Sequence, residues 1–157
     1  MIIIEPRVRQ LLIEDALNTF PDECCGFLFG REEHDGTRLI LDVLVVDNAK
    51  AGDRTRRFEI SPQDYLTAEA HAFDHDWTLL GVYHSHPKHP AIPSEHDRKA
   101  AQPYFSYVIV SVMEIAAKTG GDAVDLRSWV LNDEEQFEEE NVVEMHFQQN
   151  SAFPPNG

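Results

Sequence analysis

The chain has 157 residues, 42% of them hydrophobic and 10% aromatic, and sets 28 acidic against 13 basic side chains for a formal charge of −15. A domain of this length buries about 70% of the surface its unfolded chain exposes, so one self-sufficient core is expected. The charge repels a phosphate backbone and an anionic bilayer surface alike, which argues against nucleic-acid and membrane partners.

The run Met1-Ile-Ile-Ile4 is followed at once by Glu5 and Pro6, so it lacks the basic and long apolar regions of a signal peptide, and no stretch approaches a membrane span. Pro6 then opens a segment in which Val8, Leu11, Leu12, Ala16 and Phe20 recur at helical spacing, predicting a helix that ends near Pro21. CCGFLFG (24–30) and TRLILDVLVVDN (37–48), joined by the turn-forming EEHDG, predict a β-hairpin with a long second strand. Cys24 and Cys25 are adjacent and poorly placed to bridge each other, which fits a reducing compartment; a soluble cytoplasmic protein is expected. The polar loop 49–58 holds Lys50, Arg54, Arg56 and Arg57. It is either a partner contact or a solvated loop, and charge alone favours the second.

Ser61-Pro62-Gln63-Asp64 has the signature of a helix start, with Ser61 as N-cap, and predicts a helix to about Phe73. TLLGVYHSH (78–86), SYVIVSVM (106–113) and LRSWVL (126–131) predict strands, and a short helix is expected from Ser94. Strands separated by helices, with one hairpin, indicate an α/β fold: a single-domain mixed β-sheet flanked by helices. The final stretch 133–157 carries an acidic run and then a polar, proline-containing end. The domain is expected over residues 1–147, with a flexible tail over 148–157.

In the strand 78–86, side chains alternate, so His84 and His86 share a face while Ser85 points to the other. Asp97, near the start of the next helix, can swing back to the same point. Two neutral imidazoles and a carboxylate suit Zn²⁺, leaving a fourth tetrahedral position for water. Ser94-Glu95-His96-Asp97 is equally a capping-box-like helix start, and both readings can hold together.

His84-Ser85-His86, seven intervening residues, Ser94, two more and Asp97 resemble the JAMM motif of zinc metallopeptidases with the JAB1/MPN/Mov34 fold, an architecture like that of cytidine deaminases. The family also requires an upstream glutamate, and PDECCGFLFG supplies Glu23. The likeness runs from about Pro21 to Leu131. It implies that His84, His86 and Asp97 bind zinc with its catalytic water, that Glu23 is the general acid/base, and that Ser94 stabilises the oxyanion. The segment after Asp97 is too short for the insertion with which eukaryotic deubiquitinating members grip ubiquitin, so the chain looks like the compact prokaryotic members. Several of those cut after the terminal diglycine of ubiquitin-like sulfur carriers, releasing cysteine or another adduct.

The resemblance therefore implies a zinc-dependent peptidase or isopeptidase whose partner is a ubiquitin-like or sulfur-carrier protein with a Gly-Gly tail, aligned by strand addition beside the sheet. Two alternatives remain open: a non-catalytic binding module with a structural metal, and a general small-peptide or cell-wall-peptide zinc hydrolase. A homodimer is compatible with either. Cys24 and Cys25 read as core residues. His71 and His75 read as a solvated helix end, and Trp77 and Trp129 as core or rim. His89 and His96 flank the motif as substrate contacts or ordinary loop residues. Neither an H-E-x-x-H helix nor the H-x-E with P-C-x-x-C pattern is present.

Overall fold

The computed structural model describes residues 1–114, 117 and 124–145. In chain order it contains β1 (Ile2–Ile4), α1 (Pro6–Thr19), β2 (Cys25–Glu32), β3 (Arg38–Val46), α2 (Pro62–Asp74), β4 (Thr78–Pro87), α3 (Glu95–Ala100), β5 (Ser106–Val112), β6 (Val124–Leu131), β7 (Phe137–Glu140) and β8 (Val142–Glu144). The strands form one mixed sheet in the order β7-β6-β5-β4-β2-β3-β1-β8. No described helix is long and apolar enough to cross a membrane.

Helix α1 begins with Pro6, whose missing amide hydrogen would have had no helical partner anyway. It buries Val8, Leu12 and Ala16, four residues apart, on one face of the sheet. That core includes Leu28, Ile40, Leu80, Tyr83 and Val110. Helix α2 starts where Ser61 Oγ accepts from the Asp64 amide at 3.1 Å. It turns Ala68 and Ala72 to the opposite face, against Phe27, Phe29, Val82 and Tyr107. Alanine there lets the helix backbone approach closely while the sheet supplies the bulk.

Two segments differ from the sequence-based expectation. The Met1–Ile4 run is a strand, paired in parallel with both β3 and β8, and it buries Ile2 and Ile4. The acidic run, expected only as a charged stretch before a tail, forms β7 and β8 at the two edges of the sheet. Its acids are tolerated because they face hydrogen-bond donors: Glu140 accepts from the Ser128 hydroxyl at 2.6 Å and Glu138 from the Asn132 side chain at 3.1 Å. Charge on an edge strand also discourages sheet growth. The expected tail 148–157 and the boundary at 147 lie outside the described residues.

β4 is central, antiparallel to β2 and parallel to β5. Its ladder with β2 skips Leu80, the signature of a bulge, so Leu80 joins the α1 side while Val82 holds the α2 side. His84 and His86 therefore follow Val82 onto the α2 face at the strand's C-terminal end. β4 pairs with β5 as far as Pro87, while its ladder with β2 ends at the rung between Cys25 and His84.

Candidate metal centre

The strand geometry brings two rings to one point, and helix α3 supplies the third group. Ser94 Oγ accepts from the Asp97 amide at 3.1 Å, and Asp97 Oδ2 accepts from the Ser94 amide at 2.8 Å. This capping box fixes the Asp97 carboxylate, and the same Oδ2 lies 3.3 Å from His84 Nε2 and 3.2 Å from His86 Nε2. The two Nε2 atoms are 3.1 Å apart. Donors about 2.0–2.1 Å from a tetrahedral ion sit about 3.3 Å from one another, so the triangle has the edges of a metal tetrahedron.

The His86 tautomer points the same way. His86 Nδ1 lies 2.8 Å from the Pro90 carbonyl and must donate to it, leaving Nε2 with a lone pair. His86 Nε2 and Asp97 Oδ2 therefore converge as electron-pair donors, and His84 Nε2 is a third when its proton sits on Nδ1, a set stable only with a cation among them. All three residues are buried. His84 Nδ1 has no hydrogen-bond partner among the described residues. Its ring is instead held by Phe58, stacked at 4.4 Å between centroids and 21° between planes. Phe58→Ala is accordingly expected to free this ring and weaken metal affinity about tenfold, measured by competition with a chromogenic chelator, with the fold retained.

Glu23 precedes β2 and shares the face of Phe27 and Phe29, which is the face of His84 and His86. Its Oε1 is 3.9 Å from His86 Nε2, while Oε2 is buried with no hydrogen-bond partner among the described residues. Glu23, His84 and His86 hold ligand atoms within 4.8 Å of one another. Burial pushes the Glu23 carboxyl up to about 8, against the pull of His86. Burial also lowers His84. For His86 burial works downward, but the Asp97 hydrogen bond and the Pro90 carbonyl prevail and raise it. Burial would raise Asp97; His84, His86 and the Ser94 amide instead hold it well below the usual carboxylate range.

The structure thus brings together all five residues singled out in sequence: Glu23, His84, His86, Ser94 and Asp97. It also adds some that sequence reasoning missed. The loop 49–58 is exposed over most of its length, as expected, but its backbone is tied to the site: the Glu23 amide donates to the Arg54 carbonyl at 2.7 Å, and the Asn48 side chain bonds the carbonyls of Glu23 at 3.1 Å and Arg57 at 2.9 Å. Four cations concentrated in a chain of −15 were the signal for it.

Two cavities flank the centre. One, of about 280 Å³, is walled mainly by Phe58, Ile60, Tyr65, Val82 and Tyr107, with His96 at its side. The other, of about 430 Å³, contains Glu23, Ser94, His86, Arg56, Arg57 and His89. His71 is not a free helix-end cation: its Nε2 is 2.8 Å from Asp42 Oδ2. Cys24 and Cys25 are buried free thiols. Trp129 sits at the rim, with its indole donating to the Ala91 carbonyl at 3.0 Å.

A family model described as prokaryotic homologues of the JAB domain matches residues 5–132. A desampylase of Pyrococcus furiosus is 26% identical over 91% of this chain and 89% of its own length. A desampylase of Haloferax volcanii is 30% identical over 62% of this chain and 68% of its own length. A JAB1/MPN domain protein from Archaeoglobus fulgidus superposes with a TM-score of 0.55 at 16% identity, over 91% of this chain and 98% of that one, a likeness of fold.

Proposed function

The chain belongs to the family of prokaryotic JAB-domain proteins, and from that premise we propose that it is a zinc-dependent metallopeptidase or isopeptidase acting in the cytoplasm. Its proposed substrate is a ubiquitin-like or sulfur-carrier protein, hydrolysed at the amide that follows a C-terminal Gly-Gly. The observation that carries this reading is the buried triangle of His84 Nε2, His86 Nε2 and Asp97 Oδ2 with the Glu23 carboxyl beside it, its Oε2 without a hydrogen-bond partner among the described residues. The two desampylase relatives support a modifier-type substrate.

His84, His86 and Asp97 would hold the ion, which supplies Lewis acidity and brings the pKa of a water to about 7. Glu23 takes the proton from the attacking water as its oxygen bonds to the carbonyl carbon. It then delivers a proton to the nitrogen as the C–N bond breaks. With His84, His86 and Asp97 holding a cation, the Glu23 pKa would fall from its raised value and leave the carboxylate as a base near neutrality. Ser94 Oγ already accepts from the Asp97 amide and keeps its own hydrogen free, so it donates to the developing oxyanion. Phe58, Ile60 and Tyr65 line the apolar cavity that would receive the glycine-ended tail.

A purely structural metal fits less well. Burying the Glu23 Oε2 without a hydrogen-bond partner among the described residues costs stability, and a scaffold gains nothing from it. The test is intact-mass analysis of a carrier protein bearing a Gly-Gly-amino acid extension. Wild-type protein with zinc is expected to remove the extension, chelator to stop the loss, and added zinc to restore it. An intact extension in the zinc-loaded sample would overturn the reading.

A further inference from the structure

The two cavities are chemically unlike, and Glu23 belongs to only one of them. A group that protonates the departing nitrogen must lie beside that nitrogen, so the cavity containing Glu23 is the one that receives the leaving group. The other cavity, with its apolar walls, falls to the acyl side.

The leaving-group cavity carries a feature that hydrolysis alone does not require. Arg56 and Arg57 both line it, with His89 nearby, and both side chains are exposed. Neither guanidinium is in an ion pair among the described residues, although the chain carries 28 acids. Asp53 is within electrostatic reach of Arg56, but its Oδ1 is already bonded by the Thr55 amide at 2.9 Å and by the Thr55 hydroxyl at 2.5 Å. Arg57 lies close enough to Glu23 to pull on its carboxyl. The backbone between them is pinned by Asn48, which bonds the carbonyls of both Glu23 and Arg57. Two guanidiniums without an ion pair among the described residues thus line the same cavity as the proton donor, and a guanidinium fork matches a planar anion.

We propose that Arg56 and Arg57 recognise a free carboxylate on the leaving group, so that the preferred scissile bond joins a glycine-ended tail to a single amino acid rather than to a lysine side chain within a folded protein. The volume of about 430 Å³ is in the range of small-molecule sites and accommodates one residue with its carboxylate. When a lysine side chain is the leaving group, its α-carboxyl is tied up in a peptide bond remote from the scissile nitrogen, and the arginines have no partner.

This inference rests on the hydrolytic reading above, so the test separates the two by measuring binding without turnover. Fluorescence anisotropy would compare a tail peptide ending Gly-Gly-Ala as the free acid with the same peptide as the carboxamide, on zinc-loaded Glu23→Gln protein. The acid is expected to bind about tenfold tighter, with the advantage shrinking as salt rises. Adding Arg56→Gln and Arg57→Gln is expected to bring the acid down to the affinity of the amide and leave the amide unchanged. Equal binding of the two peptides, binding of neither, or an acid preference that survives the arginine substitutions would overturn the proposal. The last result would assign the carboxylate to the metal centre instead. A preference for the acid with no cleavage by wild-type protein would leave the receptor standing and remove the hydrolytic reading. Cleavage without preference would do the reverse.

Discussion

Glu23→Gln is expected to cut turnover about 10²–10⁴-fold while leaving zinc content unchanged, because the amide keeps the shape of the side chain and loses only its capacity to carry a proton. The same change is expected to leave the melting temperature equal or higher. Burial raises the Glu23 carboxyl to about 8, so the folded, metal-free protein binds a proton there that the unfolded chain releases above about 4.5. The sign follows: through that window the folded state is penalised increasingly as pH rises, and glutamine removes the penalty. Loss of activity with a gain in stability is the mark of a residue kept for chemistry. A variant that retained more than about a tenth of wild-type turnover would remove Glu23 from proton transfer.

Asp97→Asn carries the second large effect, and it falls on metal rather than on rate. The carboxylate contributes the only negative charge in the triangle, so its loss is expected to weaken zinc binding by two orders of magnitude or more and abolish activity at ordinary zinc concentrations. Thermal unfolding would report it directly: wild-type protein is stabilised on loading as RT ln(1 + [Zn]/Kd), and the variant stays near its metal-free midpoint. Because Asp97 also caps α3, Ser94→Ala is the control. It removes a cap worth about 1 kcal/mol but no ligand, and is expected to keep zinc stoichiometry while losing turnover about 10²–10³-fold. Matching zinc loss in both variants would mean that the cap, not the carboxylate charge, governs loading.

Much of this site was legible because its residues obey local rules. His84 and His86 are two apart on a strand, and period two alone places them on one face. Ser94 and Asp97 carry a helix-start pattern that the capping box realises. Glu23 was legible only through family resemblance, since nothing local says that the approach to β2 folds over the end of β4. For Phe58, Arg56 and Arg57 only the cationic composition of their loop was legible, not its place at the site. They reach the site because Asn48 and the Arg54 carbonyl tie their loop to Glu23, and such long-range hydrogen bonds leave no period in the sequence. The edge strands were missed for another reason. Phe137–Glu140 carries three consecutive acids, which composition reads as a solvated run; β6 pairs with it all the same. Three isoleucines at the start are too few for periodicity to separate strand from any other apolar segment.

The enclosure of β4 between β2 and β5 has a consequence for how such a protein diversifies. The histidines belong to the most constrained strand of the sheet, where a change is felt by two ladders and both faces. Part of what lines the two cavities beyond them comes from segments 56–60 and 89–94, which carry no rung of that ladder, while Glu23, Tyr65 and Tyr107 come from the framework around it. The loop share of the cavity lining is therefore mutable apart from the histidine strand. Descendants of this scaffold can shift their clientele through changes in these loops, with the histidine strand inherited intact.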